Sequence, residues 1–328
     1  MTTIPAYYFP TSIYFIMPDI SFLTKLLPQV NDQQNSYHIG HDPKTLSQSL
    51  LERARVIKPL QALDPKHDVP LTKDNYLMEL DLSAICQIVH EARRFEEVSV
   101  VVVDYNLGSM KGTEFCRELR TQPLKKILLI EEKDQAFAMQ AVNNGSIDRF
   151  LIKDAHMAPL LKQYIFELKQ EYFIGFSRKL MTLLAQYSPH IFYLDFIQFF
   201  QEKCQQYHIV EYYLLDAAGS YLLIDAIGTL YCLAVKSDRD IEVYLAKARH
   251  NRGAEELITS LKNRVEMPFF LNVADCSEYV DRWLIYFHAV EKLTLKKYPI
   301  YYSLVKDFTH PDLTNVRIKS WEQYRAGD

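Results

Sequence analysis

The sequence predicts an α/β fold class: a doubly wound, five-stranded parallel sheet, a helical hairpin, and a C-terminal α+β domain with an antiparallel meander. Three observations carry that expectation. Val98–Val103 is almost purely β-branched, interrupted only by Ser99, as in a strand buried on both faces of a parallel sheet. Apolar runs of strand length alternate with helical patterns across the first half of the chain, which is the signature of parallel strands joined by helices. Further on, two D-A-x-G-[ST] segments separate short apolar runs, as turns do in an antiparallel meander.

Along the chain, Ile13–Met17 reads as a strand closed by Pro18 and Asp19. Leu23, Leu26, Leu27 and Val30 then lie on one face of a helix. Ser36–Ile39 is a short strand candidate and Lys44–Ile57 a helix. The rest of His41–Asp81, with Pro65 and Pro70, reads as an exposed loop. Asp81 is placed to cap a helix over Leu82–Phe95 that leads into Val98–Val103. Thr113–Arg120 reads as helix, Lys126–Ile130 as strand and Asp134–Asn143 as a helix stopped by Asn144-Gly145. Arg149–Ile152 completes the five strands.

Residues 158–185 carry Leu161, Ile165, Leu168, Tyr172, Phe176, Leu180 and Leu183 at spacings of three and four, an apolar helical seam. Ser188-Pro189 breaks it, and a second helix, 191–207, presents Phe192, Phe196, Phe199, Phe200 and Cys204. Two core helices of one domain would look like this. So would a hairpin that pairs with its copy into a four-helix bundle, and the number of large apolar residues favours that homodimer. Strands are predicted over Ile209–Leu215, Tyr221–Ile224 and Leu230–Val235, with Asp216 and Asp225 as turn residues. Ser237 and Asp240 form a capping box for a helix over Asp238–Arg249. A helix at Ala254–Asn263 and strands at Met267–Leu271 and Tyr298–Val305 follow. The division expected is 1–157, 158–208 and 209–328.

Composition bounds the function. With 48% hydrophobic residues the chain is ordinary globular material, and a formal charge of −4 offers no basic field for a phosphate backbone, so direct nucleic-acid binding loses support. The five cysteines are scattered and contain no CxxC pair, which fits reduced, packed thiols in the cytoplasm rather than a disulfide framework or zinc site. The N-terminal stretch lacks a basic region, and its apolar run is broken by Pro10 and Pro18. Neither a signal peptide nor a membrane span is expected. His208, His250 and His288 have no metal-ligand spacing.

Three ionisable residues, Asp19, Asp104 and Lys153, fall at the carboxyl ends of different predicted strands, where open α/β sheets place their chemistry. An Asp in that position can also simply cap a turn. The run Asp104-Tyr-Asn106-Leu-Gly108-Ser-Met110-Lys-Gly112, with Lys153 after a later strand, resembles the receiver domain of two-component response regulators. The resemblance covers the first domain, allowing an insertion near His41–Asp81. It implies that Asp104 accepts a phosphoryl group from a sensor histidine kinase or phosphotransfer protein. It also implies a Mg²⁺ ion held by Asp19, Asp104 and the backbone carbonyl of Asn106, with Lys153 pairing with the acyl phosphate. Physics agrees, because two like charges at ~4 Å cost about 4 kcal/mol at an effective dielectric of 20, and cations on either side remove that cost.

Two positions depart from the family pattern. Of its acidic pair, one member falls on Pro18 and only Asp19 remains. The switch Ser/Thr falls on Glu131, which cannot donate to a phosphoryl oxygen when ionised; the aromatic switch position is Phe150. The C-terminal arrangement YLLD…GSYLLID…GTLYCLAVKS is similar to the output region of quorum-sensing response regulators of the Legionella type. That similarity implies a signalling protein rather than an enzyme, with room for a small-molecule or nucleotide ligand in the output domain. Two other readings compete: a pseudo-receiver acting as an interaction scaffold, favoured by Pro18 and Glu131, and a haloacid-dehalogenase-like phosphatase. The latter wants an acid two residues after its nucleophile, where this chain has Asn106.

Overall fold

In the computed structural model the described residues are 3–52, 69–72, 75–77, 83–250, 255–269, 283, 287–295, 298–308 and 318–327. Numbered along the chain, the strands and helices of the first half are β1 (Tyr7–Tyr8), β2 (Thr11–Ile16), α1 (Ile20–Val30), β3 (Asn35–Gly40), α2 (Pro43–Glu52), β4 (Val69–Thr72), β5 (Asn75–Leu77), α3 (Ser83–His90), β6 (Val98–Asp104), α4 (Gly112–Glu118), β7 (Lys125–Ile130), α5 (Gln135–Asn143) and β8 (Arg149–Ile152). There follow α6 (Met157–Tyr187), α7 (Leu194–Gln206), β9 (Ile209–Leu214), β10 (Tyr221–Asp225), β11 (Leu230–Ser237), α8 (Asp238–His250), α9 (Glu255–Asn263), β12 (Glu266–Pro268), β13 (Phe287–Ala289), β14 (Glu291–Thr294), β15 (Pro299–Lys306) and α10 (Trp321–Ala326).

The chain forms two compact units, and they do not follow one another in sequence. One comprises Phe9–Pro59 and Glu91–Phe176; the other comprises Met1–Tyr8, Leu60–His90 and Ser177–Ala326. The first unit is the expected doubly wound domain. Its strands run parallel in the order β3-β2-β6-β7-β8, so the connection reverses direction between β2 and β6, the switch point at which such sheets bind ligands. Every residue of β6 is buried, as its β-branched run requires. On one face Ile13, Phe15, Val100, Val102, Ile127 and Leu129 pack with α1 and with Leu161, Ile165 and Leu168 of α6. On the other, Val101, Val103, Leu128 and Ile130 pack with Phe115, Leu119 and the small side chains Ala138 and Ala141 of α5.

The second unit is built on a six-stranded sheet, β1-β9-β10-β11-β15-β14, whose pairings are all antiparallel. The two D-A-x-G segments are the turns expected. Asp216 accepts from Ser220 N at 2.9 Å and Asp225 from Thr229 N at 2.8 Å, while Gly219 and Gly228 hold φ of 94° and 95°, a conformation that costs glycine nothing. Ser237 and Asp240 cap α8 reciprocally. Lys236 and Asp216 form an ion pair at 2.7 Å, with the lysine side chain 5% exposed, and Ser220 Oγ donates to the same carboxylate at 2.7 Å.

Several expectations are corrected. The helix predicted over Leu82–Phe95 is only α3, and it lies against β9 of the antiparallel sheet rather than in the parallel domain; a 3₁₀ turn, Arg94–Glu96, precedes β6. Asp81, its expected cap, lies outside the described residues, as do 53–57 of the second predicted helix. Part of the segment read as loop pairs into the hairpin β4–β5 beside α8.

The seam assigned to dimerisation is buried within one chain. Leu161, Ile165 and Leu168 belong to the parallel-sheet core. Tyr172 and Phe176 are 2% and 5% exposed, and the Tyr172 hydroxyl donates to Glu97 at 2.5 Å. Leu180, Phe196 and Phe199 are buried and Phe192 is half-buried; Phe199 meets Tyr302 edge-on, and its neighbour Phe200 meets Tyr212. These residues cover the chain's own sheets. The two compact units do not set 158–208 apart as a segment of its own. α6 counts with the parallel-sheet unit up to Phe176 and with the antiparallel one from Ser177.

Candidate phosphoacceptor site

Asp104 is the last residue of β6, and β7 separates β6 from β8. Lys153 follows β8 immediately, with its backbone N–H donating to Ile130 O of β7 at 2.9 Å. From there its side chain reaches Asp104, Nζ to Oδ2 at 2.6 Å, with the lysine 17% and the aspartate 6% exposed. The other carboxylate oxygen, Oδ1, accepts from Asn106 N at 3.1 Å. So the two residues singled out at distant points of the chain meet in a partly buried, charge-assisted contact.

The loop after Asp104 is held by its own backbone. Gly112 N donates to Tyr105 O at 2.7 Å, Leu107 N to Met110 O at 3.2 Å, and Asn106 and Lys111 form a β-bridge. Lys111 Nζ stands 4.8 Å from the centroid of the Tyr105 ring and donates to Asn106 Oδ1 at 3.4 Å. Gly108 takes φ of 78°. Gly112 is required for a different reason: a Cβ there would sit 2.2 Å from the carbonyl oxygen of Asp104. Its place in the quoted motif was visible in the sequence, but this close approach was not.

Asp19 caps α1, accepting from Phe22 N at 2.9 Å, and is exposed. It stands three residues beyond Ile16, which pairs with Val103, so Asp19 follows and Asp104 ends neighbouring strands at the switch point. Among the described residues no three acidic, histidine or cysteine side chains come together as a metal-binding group. Two carboxylates nevertheless suit Mg²⁺, which commonly takes one or two and completes its octahedron with water and phosphate oxygens. Asp104 Oδ1 accepts a single backbone N–H and Asp19 lies open to solvent, and both are oxygen donors of the type that ion takes.

Glu131, directly after β7, places Oε1 3.8 Å from Lys153 Nζ, with its side chain 58% exposed. Phe22, which the sequence reading did not single out, puts its ring centroid 5.4 Å from the same ammonium. Phe150 is half-buried and lines a surface cavity of about 470 Å³ with Val142, Ile152, Leu160 and Tyr164.

No family model matches the sequence, and no curated protein does. Among solved structures, the Legionella pneumophila response regulator LqsR superposes with a TM-score of 0.79 at 27% identity, over 99% of this chain and 96% of that one. An adenylate cyclase from Rhodopirellula baltica gives a TM-score of 0.34 at 18% identity over 53% and 97% of the two chains. The signal receiver domain of an HD domain-containing protein from Pseudomonas fluorescens Pf-5 gives 0.33 at 17% identity over 49% and 88%. With a receiver-like parallel sheet, an antiparallel sheet beside it in the chain and this end-to-end likeness, the protein resembles the Legionella response regulator LqsR along its whole length.

Proposed function

We propose that the protein is a phosphoryl-accepting response regulator of a two-component system, of the quorum-sensing type its C-terminal sequence resembles. The observation that carries the reading is the 2.6 Å contact between Lys153 and Asp104 at the sheet's switch point. A carboxylate oxygen of Asp104 attacks the phosphorus of a phosphohistidine on a sensor kinase or phosphotransfer protein. The P–N bond breaks, and its electron pair stays on the imidazole nitrogen. Lys153 offsets the charge that gathers on Asp104 during this transfer. Asp19, Asp104 and the Asn106 carbonyl are the groups that would hold Mg²⁺, which supplies further charge neutralisation when bound. The second unit serves as the output domain and is open to a small-molecule or nucleotide ligand.

The test is incubation with acetyl phosphate and Mg²⁺ followed by intact-protein mass measurement, beside Asp104→Asn. The reading expects one phosphoryl group on the wild type and none on the variant. Pro18 and Glu131 favour a second reading, an interaction scaffold that is never phosphorylated; a wild type that stays unlabelled by acetyl phosphate and by a range of phosphorylated kinases would establish it.

A further inference from the structure

One ammonium at this site faces two carboxylates. Lys153 Nζ stands 2.6 Å from Asp104 and 3.8 Å from Glu131, and the two acids differ in their freedom to leave: their side chains are 6% and 58% exposed. Resting on the phosphoacceptor reading, we propose that Glu131 is a regulatory residue of the site. It is a resident anion that shares Lys153 with Asp104 in the unphosphorylated protein and is expelled from Lys153 when Asp104 carries a phosphoryl group.

The direction of that movement follows from charge and tethering. Phosphorylation replaces a single negative charge on Asp104 with a group of nearly two. The enlarged negative charge repels a second carboxylate at the same ammonium, so one of them must yield. Asp104 is fixed at the end of β6, in register with Leu129, and the phosphoryl group is bonded to it. Glu131 can turn into water at small cost, since a half-exposed ion pair is worth little.

The consequence reaches α5. Glu131 opens the 3₁₀ turn Glu132–Asp134 that runs directly into that helix, and its side chain makes no capping bond there. The helix itself is lightly anchored, with only Ala138 and Ala141 buried. Because the contact with Lys153 ties down the residue that opens this turn, its loss loosens the start of α5. A serine or threonine at this place would instead be drawn towards a phosphoryl oxygen as a donor, so the glutamate reverses the sense of the movement.

The experiment compares wild type, Glu131→Gln and Asp104→Asn, reading the rate of phosphoryl incorporation from acetyl phosphate by intact mass and amide hydrogen exchange over residues 131–138. Glu131→Gln keeps the shape and removes the charge. It should label roughly two- to fivefold faster than wild type, from the loss of one exposed like charge facing an anionic donor. The wild type should exchange faster over 131–138 once labelled, and the variant should show no such change. Labelling of the variant alone would overturn the proposal, because the wild type would then never carry the phosphoryl group that is to expel Glu131. Equal rates with the same exchange response in both proteins would overturn it while leaving Asp104 as phosphoacceptor. If neither protein is labelled, the phosphoacceptor reading fails and takes the proposal with it.

Discussion

Replacing Gly112 by alanine tests how tightly the site depends on backbone placement. The added methyl would lie 2.2 Å from the Asp104 carbonyl oxygen and 2.9 Å from Leu128 Cδ1. The leucine can turn aside, but the carbonyl belongs to the end of a fully buried strand. A carbon and an oxygen in contact need roughly 3.2 Å, so about 1 Å of displacement falls on the start of α4 or on Asp104 itself. Overpacking of this kind costs about 1–3 kcal/mol, partly offset by the ~1 kcal/mol that alanine gains over glycine in a helix. Net destabilisation should therefore be small, on the order of 1 kcal/mol. The effect on chemistry should be larger, because a misplacement of about 1 Å at a reacting group loses on the order of a hundredfold in rate. Urea denaturation and the initial rate of labelling from acetyl phosphate, measured side by side, separate the two. A variant that labels within about threefold of wild type would refute the reasoning, since the close approach would then have no bearing on where the Asp104 carboxylate stands.

Other consequences can be checked on stability alone. Lys236→Met leaves the part-buried Asp216 carboxylate, 19% exposed, without its cation, and should cost up to about 3 kcal/mol in urea denaturation; an unchanged midpoint would mean that water and Ser220 satisfy Asp216 without the lysine. Tyr172→Phe removes the 2.5 Å bond to the buried Glu97 carboxylate and should cost about 1.5–3 kcal/mol; an unchanged midpoint would show that Glu97 finds another donor. His190 is buried with Nε2 2.8 Å from Ala218 O, and burial holds its pKa below the ordinary 6.5. The unfolded chain thus takes up the proton first, so His190 withdraws stability as the pH falls below 6.5. His190→Gln should lose less stability than wild type between pH 7 and about pH 5, and parallel losses in the two proteins would contradict the assignment.

Much of the parallel domain was legible because burial on two faces leaves a strong mark: Val98–Val103 admits few other readings, and the residue ending such a strand is placed by the strand. Lys153 could be matched with Asp104 for the same reason. What the sequence hid was decided by partners far away. Tyr7–Tyr8 is a strand only because Tyr212 and Tyr213 lie opposite it. The helical period around Tyr172 and Phe199 shows that a face is apolar, but not whether the chain itself or a second copy covers it. Glu131 was recognisable as a departure from the family pattern, while the direction of its carboxylate, towards Lys153, depends on the path of the backbone after β7.

The order of the units along the chain has a practical sequel. The parallel-sheet unit begins only at Phe9, loses the helix Ser83–His90 to the other unit, and draws core residues from as far on as Leu168. A gene cut after residue 157 would strip that core of Leu161, Ile165 and Leu168 and send the edge strand Tyr7–Tyr8 away with the wrong fragment. Hybrids made by swapping N- and C-terminal halves with another regulator should therefore be insoluble, whereas an exchange that carries 1–8 and 60–90 along with the C-terminal part keeps each sheet complete.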